Sequence, residues 1–245
     1  MEAAPVLRLG PQDGPGQSER GVVSLSVGRN RVDLRITGMG PQLAHSTAAQ
    51  ALRPWTGRPE AAIAVEKPDA VLVVGLCGGL KESLPGSRLV LYTGCLSTAN
   101  GQAALECSPS ITRRLRELLS SQGMACDEVV GITSARIAVT ARDRFSLAQA
   151  GADVVDMESY EILAAADRSG VPAAVLRVVG DTAGQDLPDF NQALDAQGAL
   201  DGRKALRLAL CSPLRTLRLL RANKRAIDHL GKALEAVLTA DWSTT

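Results

Sequence analysis

The chain has 245 residues, 45% of them hydrophobic and 22% charged, with a formal net charge of +1. That length and apolar content allow one large domain with a full core, and so balanced a charge argues against a nucleic-acid binder. The five cysteines are odd in number and form no CxxC, so neither a disulfide framework nor a metal site is indicated. With no signal peptide or long apolar span, the sequence reads as a reduced, soluble, cytosolic protein.

Residues 9–20, rich in Gly and Pro, form a loop. Val22–Val27 and Arg31–Ile36 alternate with period two about Gly28-Arg29-Asn30, which predicts a hairpin. Thr37-Gly38-Met39-Gly40 leads into Pro41, the first position of a helix reaching about Leu52. Asp69–Gly75 is a near-continuous apolar run, as expected of a strand buried on both faces, and Leu76-Cys77-Gly78-Gly79-Leu80 follows it. Next come a turn at Pro85-Gly86, a strand over Arg88–Tyr92 and a helix over Pro109–Ser121. Ser134–Val139 is read as a strand, followed by a short helix near Arg144–Ala150.

Ala152–Val155 is a short β-branched segment that ends in Asp156-Met157-Glu158-Ser159, where a helix opens and runs to Gly170. Ala173–Val179 is a further strand ending in Gly180-Asp181. Two acids at what read as adjacent strand ends lie in the crevice where open α/β sheets bind ligands. They suit a site that handles hydroxyls and protons. Residues 185–202 are polar with weak periodicity, and Ser212-Pro213 starts a helix to Arg225 or beyond.

That final helix and its approach carry Arg203, Lys204, Arg207, Arg215, Arg218, Arg221, Lys224 and Arg225, with no acid before Asp228. They read either as a solvated face or as a surface for an anionic or amphiphilic partner such as a membrane interface. The element order is α/β, a central mixed β-sheet flanked by helices. It is taken as a single domain over 1–245 with a helical C-terminal extension over 185–245.

Four motifs now stand in order: Thr37–Gly40, Gly75–Leu80, Asp156–Ser159 and Arg177–Asp181. Together they resemble the purine nucleoside phosphorylase and nucleosidase superfamily, which includes the methylthioadenosine/S-adenosylhomocysteine nucleosidases and futalosine hydrolases. The resemblance implies a three-layer phosphorylase/hydrolase-like fold. The tail is more similar to the hopanoid-biosynthesis-associated phosphorylase-like branch. The implied chemistry is cleavage of the N-glycosidic bond of a purine nucleoside or 5′-modified adenosine, for that branch an adenosylated hopanoid precursor. The transition state is oxocarbenium-like, so a catalyst gains by protonating the leaving base and holding the ribose hydroxyls.

By resemblance, Asp181 is the acid that protonates the base, and its carboxyl should be partly buried with a raised pKa. Many relatives carry Ser before this Asp, where Gly180 stands here. Glu158 matches the ribose-binding glutamate, and Met157 packs on the sugar. Asp156 reads as a cap. Phe145 matches a base-stacking Phe, with the backbone of Ser146 at the base edge. Met1–Leu7 resembles the segment after the nucleosidases' first strand, so Glu2 is matched to the residue that activates water, although that strand does not precede it here. The anion or nucleophile pocket falls to Gly38, Met39, Gly40 and Gly78, with Arg29, Arg31 or Arg35 as candidate supports. No cofactor is implied, inorganic phosphate being the co-substrate if the enzyme is a phosphorylase. Relatives form dimers or larger rings, so a homo-oligomer is expected. The apolar Val73–Cys77 tilts the reading toward water as nucleophile, and a degenerate relative that binds nucleosides without turnover is the alternative.

Overall fold

The computed structural model describes residues 22–53, 67–99, 104–195 and 201–242. Val22–Val27 (β1) and Asn30–Arg35 (β2) form the predicted hairpin, with Val27 opposite Asn30. Gly28 in its turn has φ 61°, a left-handed conformation that glycine adopts without steric cost. The main sheet takes Val71–Gly79 (β3), Leu89–Ser97 (β4), Leu105–Glu106 (β5), Cys126–Thr133 (β6), Val154–Asp156 (β7) and Ala173–Asp181 (β8). Their order is β5-β4-β6-β7-β3-β8, and an extra β4–β8 pairing closes the sheet on itself. β3 and β8 are parallel, while β4, β6 and β7 run the other way. The sheet is therefore mixed.

The helices are Pro41–Leu52 (α1), Pro109–Ser121 (α2), Ala141–Gln149 (α3), Ser159–Arg168 (α4), Gly202–Cys211 (α5) and Pro213–Thr239 (α6). Proline opens α1, α2 and α6, where its missing N–H would have had no helical partner. Helices cover both sides of the sheet. Side chains along β8 alternate between two cores. Val175 and Val179 join Ala44 and Ala48 of α1 and Leu163 of α4. Leu176 and Val178 join Leu115 of α2 and Ala226, Leu230 and Leu234 of α6. The second half of α6 is thus core, although it falls within the tail that the sequence reads as an extension. A third cluster, with Ile132 and Val155, packs under Leu147 and Ala148 of α3.

Two expectations are corrected. Ser134–Val139 is not a strand; the strand is β6, just before it. The charged pair Asp127-Glu128 hides β6 in the sequence, and both acids are paired with neighbours. Asp127 takes hydrogen bonds from Arg88 at 2.7 and 2.6 Å, and Glu128 takes one from Arg116 at 2.7 Å. Moreover, β7 and β8 are not neighbours: β3 lies between them, antiparallel to β7. No helix among the described residues is long and apolar enough to cross a membrane.

Candidate active site

Asp156 is the hub of one side of the site. It ends β7, opposite Thr133 of β6. Its Oδ1 accepts from the backbone N–H groups of Glu158 and Ser159, each at 3.0 Å, and from the Thr133 hydroxyl at 2.7 Å. Its Oδ2 accepts from the Tyr92 hydroxyl at 2.9 Å, and Arg177 Nε lies 3.7 Å away. Burial pushes this carboxyl toward protonation, but Arg177 and the bonds from Ser159 and Thr133 outweigh it and hold the group below the usual carboxylate range. Tyr92 reaches Asp156 because residue 131 has no side chain: a Cβ on Gly131 would stand 2.0 Å from the Tyr92 ring. Asp156 thus caps the start of α4, as the sequence suggested, and also anchors β4, β6 and β8 to it.

Glu158 sits at the cap position of α4. Its Oε1 accepts from the Gly40 N–H at 3.0 Å, and its Oε2 from Arg177 Nη2 at 3.3 Å. Gly40 is the cap of α1, with φ 97°. Its N–H is the kind of helix-start donor that attracts anions, and here the anion is the Glu158 carboxylate. Arg177 is nearly sealed and also donates to Leu76 O and Ser159 Oγ, each at 3.0 Å.

Asp181 lies past an irregularity in β8. Cys77 pairs with Val179, then Gly78 pairs with Asp181, so Gly180 is an extra residue in the ladder. Such a bulge re-aims the side chain that follows it. The Asp181 carboxylate turns toward α3, where Arg144 Nη2 meets Oδ2 at 2.6 Å. Arg144 is 2% exposed, and its Nη1 donates to Thr182 O at 2.8 Å and Gly79 O at 3.2 Å. Its Nε is buried with no hydrogen-bond partner among the described residues. Burial raises the Asp181 pKa above the usual carboxylate value, and Arg144 offsets part of that rise. Gly78 leaves room for the carboxylate: a Cβ there would come within 3.0 Å of Oδ2. Neither acid is sealed, the side-chain exposures being 16% for Asp181 and 15% for Glu158.

The profile of the phosphorylase superfamily matches residues 12–210. The chain belongs to that superfamily. It is a family of enzymes acting on N-glycosides. A search of curated proteins found no match. Among solved structures, the futalosine hydrolase of Helicobacter pylori is similar at 16% identity with a TM-score of 0.70, over 96% of this chain and 91% of that one. The methylthioadenosine/S-adenosylhomocysteine nucleosidase of Neisseria meningitidis, in complex with methylthio-immucillin-A, is similar at 14% identity with a TM-score of 0.71, over 97% and 94%. The Helicobacter pylori nucleosidase of the same type, bound to butyl-thio-DADMe-Immucillin-A, gives 16% and 0.68, over 95% and 91%. The fold is that of these superfamily members.

The structure brings Gly40 to Glu158 and Gly78 to Asp181. Met157 is half-buried beside Glu158, and Met39 is 38% exposed. Phe145 is not drawn in: it is 65% exposed on α3, and Ser146 bonds back to Arg142 O. The inward residue of that segment is Arg144, which the sequence reading passed over. The signal was a cap, since Thr140 and Asp143 form a capping box that fixes where α3 begins and so which side chain faces the sheet. Arg29 and Arg31 pair with Asp241 and Asp33, and Asn30 ties their hairpin to Leu238 O and Ala240 O at the end of α6. Glu2 lies outside the described residues. Cys77 and Cys95 are buried, and burial pushes both thiols well up, so they are inert packing. His45 meets Glu161 and His229 meets Ser87 O. Two hollows, of about 380 and 510 Å³, lie beside α1 and α4 and between α2 and α6, and neither is lined by Glu158 or Asp181. The hollow beside α1 and α4 opens on their C-terminal ends, whereas the ion-pair networks mark the start of α4, so the buried carboxylates are the better guide to the chemistry.

Proposed function

We propose that this enzyme hydrolyses the N-glycosidic bond of a purine nucleoside or 5′-modified adenosine and releases the free base. The observation that carries the reading is Asp181: a buried carboxyl with a raised pKa, partly exposed at the end of β8 and backed by a guanidinium at 2.6 Å. Burial favours the protonated acid, which donates its proton to the imidazole-ring nitrogen of the leaving base. The carboxylate left behind is then stabilised by Arg144. Glu158, oriented by Gly40 and Arg177, is the acceptor for the ribose hydroxyls. The water adds its hydroxide to the anomeric carbon, and its proton passes to a base, the role proposed for Glu2.

Water is favoured over phosphate because, among the described residues, the buried cations of the site already face carboxylates. Arg144 faces Asp181, and Arg177 faces both Asp156 and Glu158. With Asp181 protonated, the two guanidiniums do no more than balance Asp156 and Glu158, so no net positive field draws in a dianion. The Gly40 N–H that would cradle one is held by Glu158.

At the ribose 5′ position we place a bulky apolar group, in line with an adenosylated hopanoid precursor. This rests on the likeness of the tail to that branch. A homo-oligomer in the cytoplasm is part of the same proposal. The competing reading, binding without turnover, draws on the Arg144–Asp181 pair, since a guanidinium so close favours the ionised acid. The test is incubation with methylthioadenosine, adenosylhomocysteine, adenosine and an adenosylated lipid, with and without phosphate. Base release without phosphate supports hydrolysis. Release only with phosphate supports phosphorolysis, and binding without release supports the second reading.

A further inference from the structure

We infer that α5 and the first half of α6 form a docking surface for a membrane interface rich in anionic lipid. The first observation is apolar exposure. Leu206 and Leu210 on α5 and Leu214, Leu217 and Leu220 on α6 are between 44% and 71% exposed. No residue of α5 is buried. On α6 the buried positions begin only at Ala226 and continue through Leu230, Ala233, Leu234 and Val237. At 100° per residue, Leu214 and Leu217 lie opposite that buried stripe and Leu220 flanks it, among Arg218, Arg221 and Lys224. Leu217 and Leu220 are apolar, yet the core does not use them.

The second observation is charge. Eight cations and no acid lie between Gly202 and Ile227. Among the described residues none of the eight has an ion-pair partner. Arg203 and Lys204 stand in the first turn of α5, the end of a helix that repels cations. The Asp201 carboxylate caps that end through the backbone N–H groups of both residues, and their side chains point to solvent. Long basic side chains around exposed leucines are what an interfacial helix presents to anionic headgroups and acyl chains. A second copy of the chain fits poorly, because a two-fold contact through this face would set eight cations against eight. The surface lies outside the Glu158 and Asp181 networks, so its failure and that of the catalytic reading are separable.

The test is flotation of the full chain with vesicles of phosphatidylcholine, with and without phosphatidylglycerol. Binding is expected only with phosphatidylglycerol and should be lost in high salt. Neutralising Arg218 and Arg221 by R218Q and R221Q should weaken it about fivefold for each cation. L210Q with L214Q should also release the chain. Base release from a soluble nucleoside and the far-ultraviolet circular dichroism should stay unchanged in both variants. Equal binding to both vesicle types, or to neither, would overturn the inference. So would light scattering showing that the wild type self-associates through this face and that L210Q/L214Q abolishes the association.

Discussion

Replacing Arg144 by Met isolates the carboxylate that the catalytic reading depends on. The guanidinium is 2% exposed, so Met fills much of the volume while removing the charge and the donors. Two losses follow. Gly79 O and Thr182 O lose their donors from Nη1, roughly 1 kcal/mol each. Asp181 is left as a buried charge without its partner, and removing one member of a buried pair costs about 3–5 kcal/mol in all. The two parts respond differently to acid. The folded-state pKa of Asp181 is raised, so its contribution to stability is fully present below the ordinary carboxylate pKa. That contribution is lost as pH rises through the raised value. Without Arg144 the raise is larger, so R144M should show a deficit near neutrality that shrinks in acid to the hydrogen-bond part. Urea unfolding across pH measures this, with R144M, Asp181→Asn and the double variant closing a cycle. In the Asp181→Asn background the charge part of the Arg144 deletion should vanish. An R144M deficit that is independent of pH and the same in both backgrounds would show that the pair is not coupled.

Other perturbations have equally definite outcomes. Glu158→Gln keeps the shape but halves the carboxylate's accepting capacity toward ribose and Arg177. It should lower kcat/KM by about tenfold to a hundredfold, the worth of a charged hydrogen bond, and a variant with wild-type kinetics would remove Glu158 from the sugar site. Gly131→Ala would drive a Cβ into a ring that is itself tethered to Asp156. A loss of about 1–3 kcal/mol is expected. Gly180→Ser should be milder despite a 2.7 Å approach, because its obstacle is the end of the Asn223 side chain, which can swing away. Thermal unfolding of the two variants side by side checks that order. Tyr92→Phe removes the hydroxyl from Asp156 and should cost about 1.5–3 kcal/mol, measurable in urea.

Much of this was legible in the residues. β3 announced itself as an apolar run because both its faces are covered, and Pro41, Pro109 and Pro213 marked helix starts where the structure begins α1, α2 and α6. Asp156, Glu158 and Asp181 were found because carboxylates at strand and helix ends break a local apolar pattern. The partners were not legible. For Arg144 the one local signal is the capping box at Thr140. Arg177 is a charged residue turned inward, and nothing local reveals that, since its compensation comes from other elements. Strand order was hidden for the same reason: the pairing of β7 with β3 depends on long-range register. The bulge at Gly180 had a faint signal, a glycine inside a strand, but its effect on Asp181 needs the facing residue Gly78 to be known. Phe145 was matched by resemblance to a base-stacking Phe, and in the structure it is exposed on α3 while the cap at Thr140 turns its neighbour Arg144 inward.

The central claim, that Asp181 delivers the proton to the leaving base, is tested most directly by the rate of base release in phosphate-free buffer for the wild type and for Asp181→Asn. Loss of a general acid should slow release by roughly a hundredfold to ten-thousandfold while nucleoside binding persists. Equal rates for the two proteins would contradict it.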